Sequence, residues 1–268
     1  MKLAVGGVQL EVQDTGGDGP TVCFSHGLLW DHRMFGPQVE ALRGRYRCVA
    51  WDHRGQGQSE VPPGRIVTIE QVTADAIALI EQLGTAPVHF VGLSMGGFVG
   101  MRIAARRPEL VRSLVLLETA ADPEPRDHLP RYRALSLVAR LFGVNRWLAG
   151  RVLKIMCGKS FLADPALAAR VDVLRAMLMD NRRDVVKAVN GVLERAAVTD
   201  ELPRIACPTL VVRGTEDAAI ALPRARALVE AIAGATWAEV EGAGHTSTLE
   251  RPEAVTALLE RFLDAQPR

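Results

Sequence analysis

Three residues of this chain could together break an acyl bond. Ser94 stands in Gly92-Leu93-Ser94-Met95-Gly96, a G-x-S-x-G pattern. The apolar run Val88 to Val91 precedes it, and helix-forming residues follow. On such a strand-to-helix turn the serine Oγ is pushed out at the end of the strand. Glycine two places to either side removes side chains that would strike the packed strand and helix. The helix start adds free N–H groups and partial positive charge. A serine hydroxyl is a poor nucleophile until a base takes its proton. Of six histidines, His245 in "EGAGHTSTLE" is best placed, on a glycine-bearing loop between a strand-like run and the final helix. His26 and His53 read as loop-shaping residues, His89 as core, and His32 and His128 as surface or cap positions.

An acid that orients the histidine is expected between serine and histidine in chain order. The segment "LVVRGTEDAAI" supplies Asp217, three residues after Gly214 at a strand end. Glu216 is its near rival, and Glu118, at the end of the preceding strand, the distant one. Two N–H donors should face the oxyanion that develops on the attacked carbonyl. The backbone of Met95, next to the serine, is one. The other is expected from the loop after "TVCFSHG", at Leu28.

The elements that must position these residues alternate. Residues 1–14 read as a hairpin about Gly6-Gly7. Strands at 21–27 and 46–55 flank a helix at 31–44. Thr68 caps a helix that runs to Gly84, with Gln71 completing a capping box. The strand "PVHFVG", a helix from Met95 to Arg107 and the strand "VRSLVLLE" follow. Parallel neighbours need a crossover, and helices of this length supply it. From 120 to 202 the alternation gives way to helices alone, and it resumes with "PTLVVRG". The expected fold is α/β, a mostly parallel doubly wound sheet. Its core would be 1–119 and 203–268, with a helical cap inserted at 120–202.

Composition bounds the partners. With 48% hydrophobic and 24% charged residues, the 268-residue chain can bury a core without staples. The net charge of +1 gives no reason to expect nucleic acid or an acidic membrane surface. No charge-free apolar window of about 18 residues and no signal-peptide pattern appears, so the cytoplasm is the expected location. The four cysteines form no CxxC pair and read as buried thiols. No histidine–carboxylate cluster shows metal spacing, and the chemistry needs no cofactor. The oligomeric state is left open.

The segments "FSHGLLWDHRMF", "WDHRGQGQS", "VGLSMGG", "RGTED" and "GAGH" together resemble the α/β-hydrolase fold family over nearly the whole chain. Within it they are most similar to 3-oxoadipate enol-lactonase-like hydrolases and small carboxylesterases. Serine at 94 argues against the haloalkane dehalogenase and epoxide hydrolase branches, which use aspartate there. The resemblance implies nucleophile, acid and base roles for Ser94, Asp217 and His245. It also implies a helical cap where the insertion was read. The expected activity is hydrolysis of a small carboxylic ester or lactone. Carbon–carbon or amide hydrolysis, or cofactor-free perhydrolysis, is the alternative on the same residues.

The cap should set specificity. Trp30, Trp147, Met156 and Met177 are the expected pocket residues. Residues 120–202 hold 14 Lys and Arg against 10 Asp and Glu, leaving +4 there. A narrower expectation follows from the enol-lactonase resemblance: a carboxylate-bearing lactone held by Arg131 or Arg133.

Overall fold

The computed structural model describes residues 1–266. Eight strands, numbered in chain order, form one sheet: β1 Lys2–Val5, β2 Val8–Asp14, β3 Thr21–Ser25, β4 Arg47–Trp51, β5 Val88–Leu93, β6 Val111–Leu117, β7 Thr209–Gly214 and β8 Thr236–Val240. Their order is β1-β2-β4-β3-β5-β6-β7-β8. The β1–β2 and β2–β4 pairs are antiparallel, and all others are parallel. The hairpin expected at the N-terminus forms, with Gly6 and Gly7 at φ 55° and 80°. Both values suit the tight turn that matches strand twist.

Helices cover both faces. α1 is Gly36–Leu42, α2 Ile69–Leu83 and α3 Met95–Arg106. The segment expected as one helix over 31–44 begins instead with a 3-10 turn at His32–Phe35, capped by Asp31. The capping box at α2 is present: Thr68 Oγ1 accepts from Gln71 N at 3.1 Å, and Gln71 Oε1 accepts from Thr68 N at 3.0 Å. Between β6 and β7 lie α4 Leu129–Phe142, α5 Arg146–Met156, α6 Lys159–Ala163, α7 Ala168–Met179 and α8 Val186–Leu193. After β7 come α9 Leu222–Ala231, α10 Ser247–Glu250 and α11 Pro252–Asp264.

Strand alternation splits the core in two. Val88 and Phe90 of β5 pack with α2 and α3 on one face. Val91 and Leu93 pack on the other face, with α1, α11 and the helices between β6 and β7. All four cysteines are free, and burial pushes the Cys23 and Cys48 thiols up to about 12. Among the described residues no helix is long and apolar enough to cross a membrane.

Candidate active site

The central strand β5 delivers Ser94 to the carboxyl end of the sheet. Ser94 has φ 50° and ψ −106°, a strained backbone for a residue with a side chain. Its turn is pinned from both sides. Ser94 N donates to Leu117 O at 2.8 Å, and Ser94 O accepts from Thr119 Oγ1 at 2.9 Å. The flanking glycines have steric causes. A Cβ on Gly92 would run into the Gly96 carbonyl, and one on Gly96 into the Ser25 carbonyl.

His245 reaches the same place from the loop after β8. Its Nδ1 lies 3.1 Å from both carboxylate oxygens of Asp217. Asp217 sits after β7 and is held in turn: its Oδ1 accepts from Ala219 N at 2.8 Å and Ile220 N at 3.1 Å. Both side chains are buried. With Nδ1 donating to the carboxylate, Nε2 is the ring nitrogen left to act as base. Ser94 and His245 line one cavity. Among the described residues no hydrogen bond joins Ser94 Oγ to His245, and such bonds often tighten only around substrate.

The rival acids do other things. Glu216 Oε2 accepts from Ser160 N at 2.9 Å, which ties the β7 loop to α6 and away from His245. Glu118 is fully buried at φ 44°, with Oε1 accepting from Gly214 N at 3.0 Å. Burial and the nearby Asp217 charge raise its carboxyl well above the usual range, so Glu118 keeps its proton to higher pH than an ordinary glutamate.

The expected oxyanion loop follows β3. Leu28 and Leu29 line the cavity, and Leu29 has φ 71°. Met95 N stands in the first turn of α3, where amides have no intrahelical acceptor. Gln56 links these two parts and was not singled out in the sequence. Its Oε1 accepts from Leu29 N at 2.9 Å, and its Nε2 donates to Met95 Sδ at 3.4 Å. The "GQGQ" run around it was the available signal. Below the loop, His26 Nδ1 donates to Gly27 O at 2.7 Å while its Nε2 accepts from His53 N at 2.9 Å. Burial lowers both histidines' proton affinity, so they support the loop as neutral rings.

Glu250 was also missed. Its Oε2 accepts from Gly158 N at 2.7 Å and Gly244 N at 2.9 Å, and its Oε1 from Thr246 N at 3.0 Å. The buried carboxylate therefore fastens the α5–α6 junction to both neighbours of His245. Sequence reading also found no histidine–carboxylate cluster of metal spacing, yet folding gathers Asp31, His32 and Asp52. These groups already have partners. Asp31 pairs with Arg33, and Asp52 accepts from His32 Nδ1 at 2.7 Å and Gln58 N at 2.7 Å. Against the cost of burial, the His32 bond and these backbone contacts hold Asp52 down to about 2.

The cavity over Ser94 measures about 130 Å³. α4 and α5 roof it with residues such as Leu135, Ala139, Leu148, Val152 and Met156. Of the four expected pocket residues, only Met156 reaches the wall. Trp30 is sunk in the core beneath the loop, because the turn at Leu29 directs it inward. Met177 packs inside α7's apolar face. Trp147 is 57% exposed, with the Arg151 guanidinium 5.4 Å from its ring centre. Arg131 and Arg133 also fail the expectation: both are exposed, and among the described residues no Lys or Arg lines the cavity. Helical period puts 131 and 133 off the inward stripe of Tyr132, Leu135, Ser136 and Ala139.

Comparison with known proteins agrees with this fold. Residues 22–258 match the model of the alpha/beta hydrolase family. The enol-lactonase from Burkholderia xenovorans LB400 superposes with a TM-score of 0.89 at 32% identity, covering 98% of this chain and 100% of that one. A thermophilic esterase from Thermogutta terrifontis gives 0.89 at 29% identity, covering 98% and 97%. In sequence, RutD of Pseudomonas syringae pv. syringae (strain B728a), named for carbamate hydrolysis, is 27% identical over 93% of this chain and 96% of its own. With the sheet order, the strained serine turn and the family match in accord, the chain belongs to the alpha/beta hydrolase family.

Proposed function

We propose that the protein is a serine hydrolase of small, uncharged carboxylic esters or lactones, working through an acyl-enzyme on Ser94. One observation carries this reading. Ser94 and His245 share a single apolar cavity, with Asp217 behind the imidazole within 3.1 Å of Nδ1. In the first step His245 Nε2 takes the Ser94 proton as Oγ attacks the carbonyl carbon. Asp217 holds the tautomer and balances the imidazolium charge. The amides of Met95 and Leu28 receive the oxyanion. The imidazolium then protonates the departing alkoxide. Water, deprotonated by the same ring, attacks the acyl carbon; the bond to Ser94 Oγ breaks, the imidazolium returns the proton to Oγ, and the acid is freed.

The cavity wall argues for the substrate class. Among the described residues no Lys or Arg lines it, and the one acid that does, Glu124, is already paired with Arg195 at 3.1 Å. At about 130 Å³ it is smaller than the roughly 300–1,000 Å³ of drug-sized sites. Short acyl groups fit it, and the likeness to an esterase and an enol-lactonase supports ester chemistry. The RutD likeness favours a second reading, carbamate hydrolysis by the same three residues. A carbamate carbonyl offers the same electrophile. Labelling with a fluorophosphonate tests the nucleophile: the probe should attach to Ser94. Ser94→Ala should lower ester hydrolysis by roughly 10⁴ or more. A label on another serine of active protein would refute the assignment. Turnover of a neutral aryl carbamate above the matching acetate ester would favour the second reading.

A further inference from the structure

The roof of the cavity has an outer side with its own chemistry. From Leu129 to Ala163 the chain carries seven Lys and Arg and not one Asp or Glu. All seven cations are exposed, and none forms a salt bridge among the described residues. Between them stand large apolar side chains open to solvent. Leu137 is 55% exposed, Leu141 54%, Phe142 67% and Trp147 57%. Helical spacing sets Arg133, Leu137, Arg140 and Leu141 on one stripe of α4, because they stand at i, i+4, i+7 and i+8. Phe142 and Trp147 flank the turn into α5, and Arg151 lies over the Trp147 ring. A groove beside α4 adds Arg65 and Arg183, with Asp184 and Glu194 as its acids.

We propose that the α4–α5 face docks on an anionic lipid surface. Each feature has a role there. Arginines at a negatively charged bilayer gain about fivefold in partition each. Leucine, phenylalanine and tryptophan side chains between them enter the boundary between headgroups and acyl chains. A second copy of the chain fits worse, since a two-fold contact through this face would set Arg133 and Arg140 against the same cations of the other copy. A nucleic acid would meet the cations but leave the apolar side chains uncovered. The whole-chain charge of +1 hides this face, because the rest of the sequence offsets it. The proposal is independent of the reaction at Ser94.

The test is co-sedimentation of the full chain with vesicles, at low salt. Vesicles of equal parts phosphatidylcholine and phosphatidylglycerol should carry the protein down, and pure phosphatidylcholine vesicles should not. Added salt should release it. Arg133→Gln and Arg140→Gln should each weaken binding about fivefold. Leu141→Ser with Phe142→Ser should weaken it further, while hydrolysis of a water-soluble short ester stays unchanged. No binding to the anionic vesicles overturns the proposal. So does binding that ignores lipid charge, or that is unaffected by the Leu141 and Phe142 changes. A dimer in sedimentation velocity that the same two changes dissociate would assign the face to a second copy instead.

Discussion

At the scale of single residues, the candidate site separates Asp217 from its near rival Glu216 and its distant rival Glu118. Asp217 faces the imidazole, Glu216 faces Ser160 and Glu118 is buried with its proton affinity raised. Asp217→Asn should keep the fold and lower kcat by roughly 10⁴, because the amide favours the wrong tautomer. Glu216→Gln should cost far less. Steady-state kinetics of the two variants decide it, and a reversed order would move the acid. Glu118 gives a stability prediction. Its folded affinity for a proton is raised above the ordinary 4.5, so the native state stays protonated where the unfolded chain ionises. Its contribution is complete below pH 4.5 and lost as pH rises through the folded value. Relative to Glu118→Gln, the native protein should therefore lose up to about 1.4 kcal/mol per pH unit above that point. Denaturant melts of both proteins from acid to neutral pH measure the slope. Parallel stabilities would show that Glu118 ionises normally.

Elements hold these residues by a few shared bonds. Glu250, at the end of α10, receives three backbone N–H groups, one from the α5–α6 junction and two beside His245. A glutamine cannot accept at both ends, so Glu250→Gln leaves at least one buried amide facing another donor. The expected cost is about 1–3 kcal/mol of stability. Because His245 loosens with its loop, kcat should fall while KM changes little. Thermal melts with kcat and KM check this, and unaltered kcat in a destabilised variant would leave Glu250 a purely structural tie. The roof helices sort their side chains by face. Met156→Ala enlarges the cavity and should admit longer acyl groups. Trp147→Ala should alter neither selectivity nor stability by much, since the ring is outside. Met177→Ala should cost about 2–5 kcal/mol with unchanged selectivity, as a buried truncation does. A panel of p-nitrophenyl esters with thermal melts distinguishes the three.

At the scale of the whole molecule, the cavity gives the proposed substrate its size and charge. In the proposed reading, the apolar space over the sheet's carboxyl edge, roofed by α4 and α5, rewards a small uncharged acyl group. Burying a carboxylate there without a cation would cost several kcal/mol. Acetate and butyrate esters should therefore exceed C12 to C16 esters in kcat/KM, and a neutral lactone should exceed its carboxylate-bearing analogue. A strong preference for the anionic lactone would mean that an arginine swings inward on binding. Preference for the long esters would mean that the roof opens.

The sequence by itself determined what local rules control. Strand and helix alternate at the spacing a parallel sheet requires, Thr68 and Gln71 start α2, and the G-x-S-x-G turn requires its glycines wherever that turn is made. The order Ser94, Asp217, His245 was legible because the parallel strands β5, β7 and β8, which these residues follow, all end at one edge of the sheet. Side-chain direction was not legible beyond a helical period. Trp30, Trp147 and Met177 have the right composition for a pocket, but Trp30 after the left-handed Leu29 and Met177 are buried in the core, and Trp147 is turned to solvent. Glu250 and Gln56 act across 92 and 27 positions of chain, on backbone groups that no residue pattern marks. The tertiary structure decided these contacts, because only the packed helices bring those amides within hydrogen-bond reach of the buried side chains that must satisfy them.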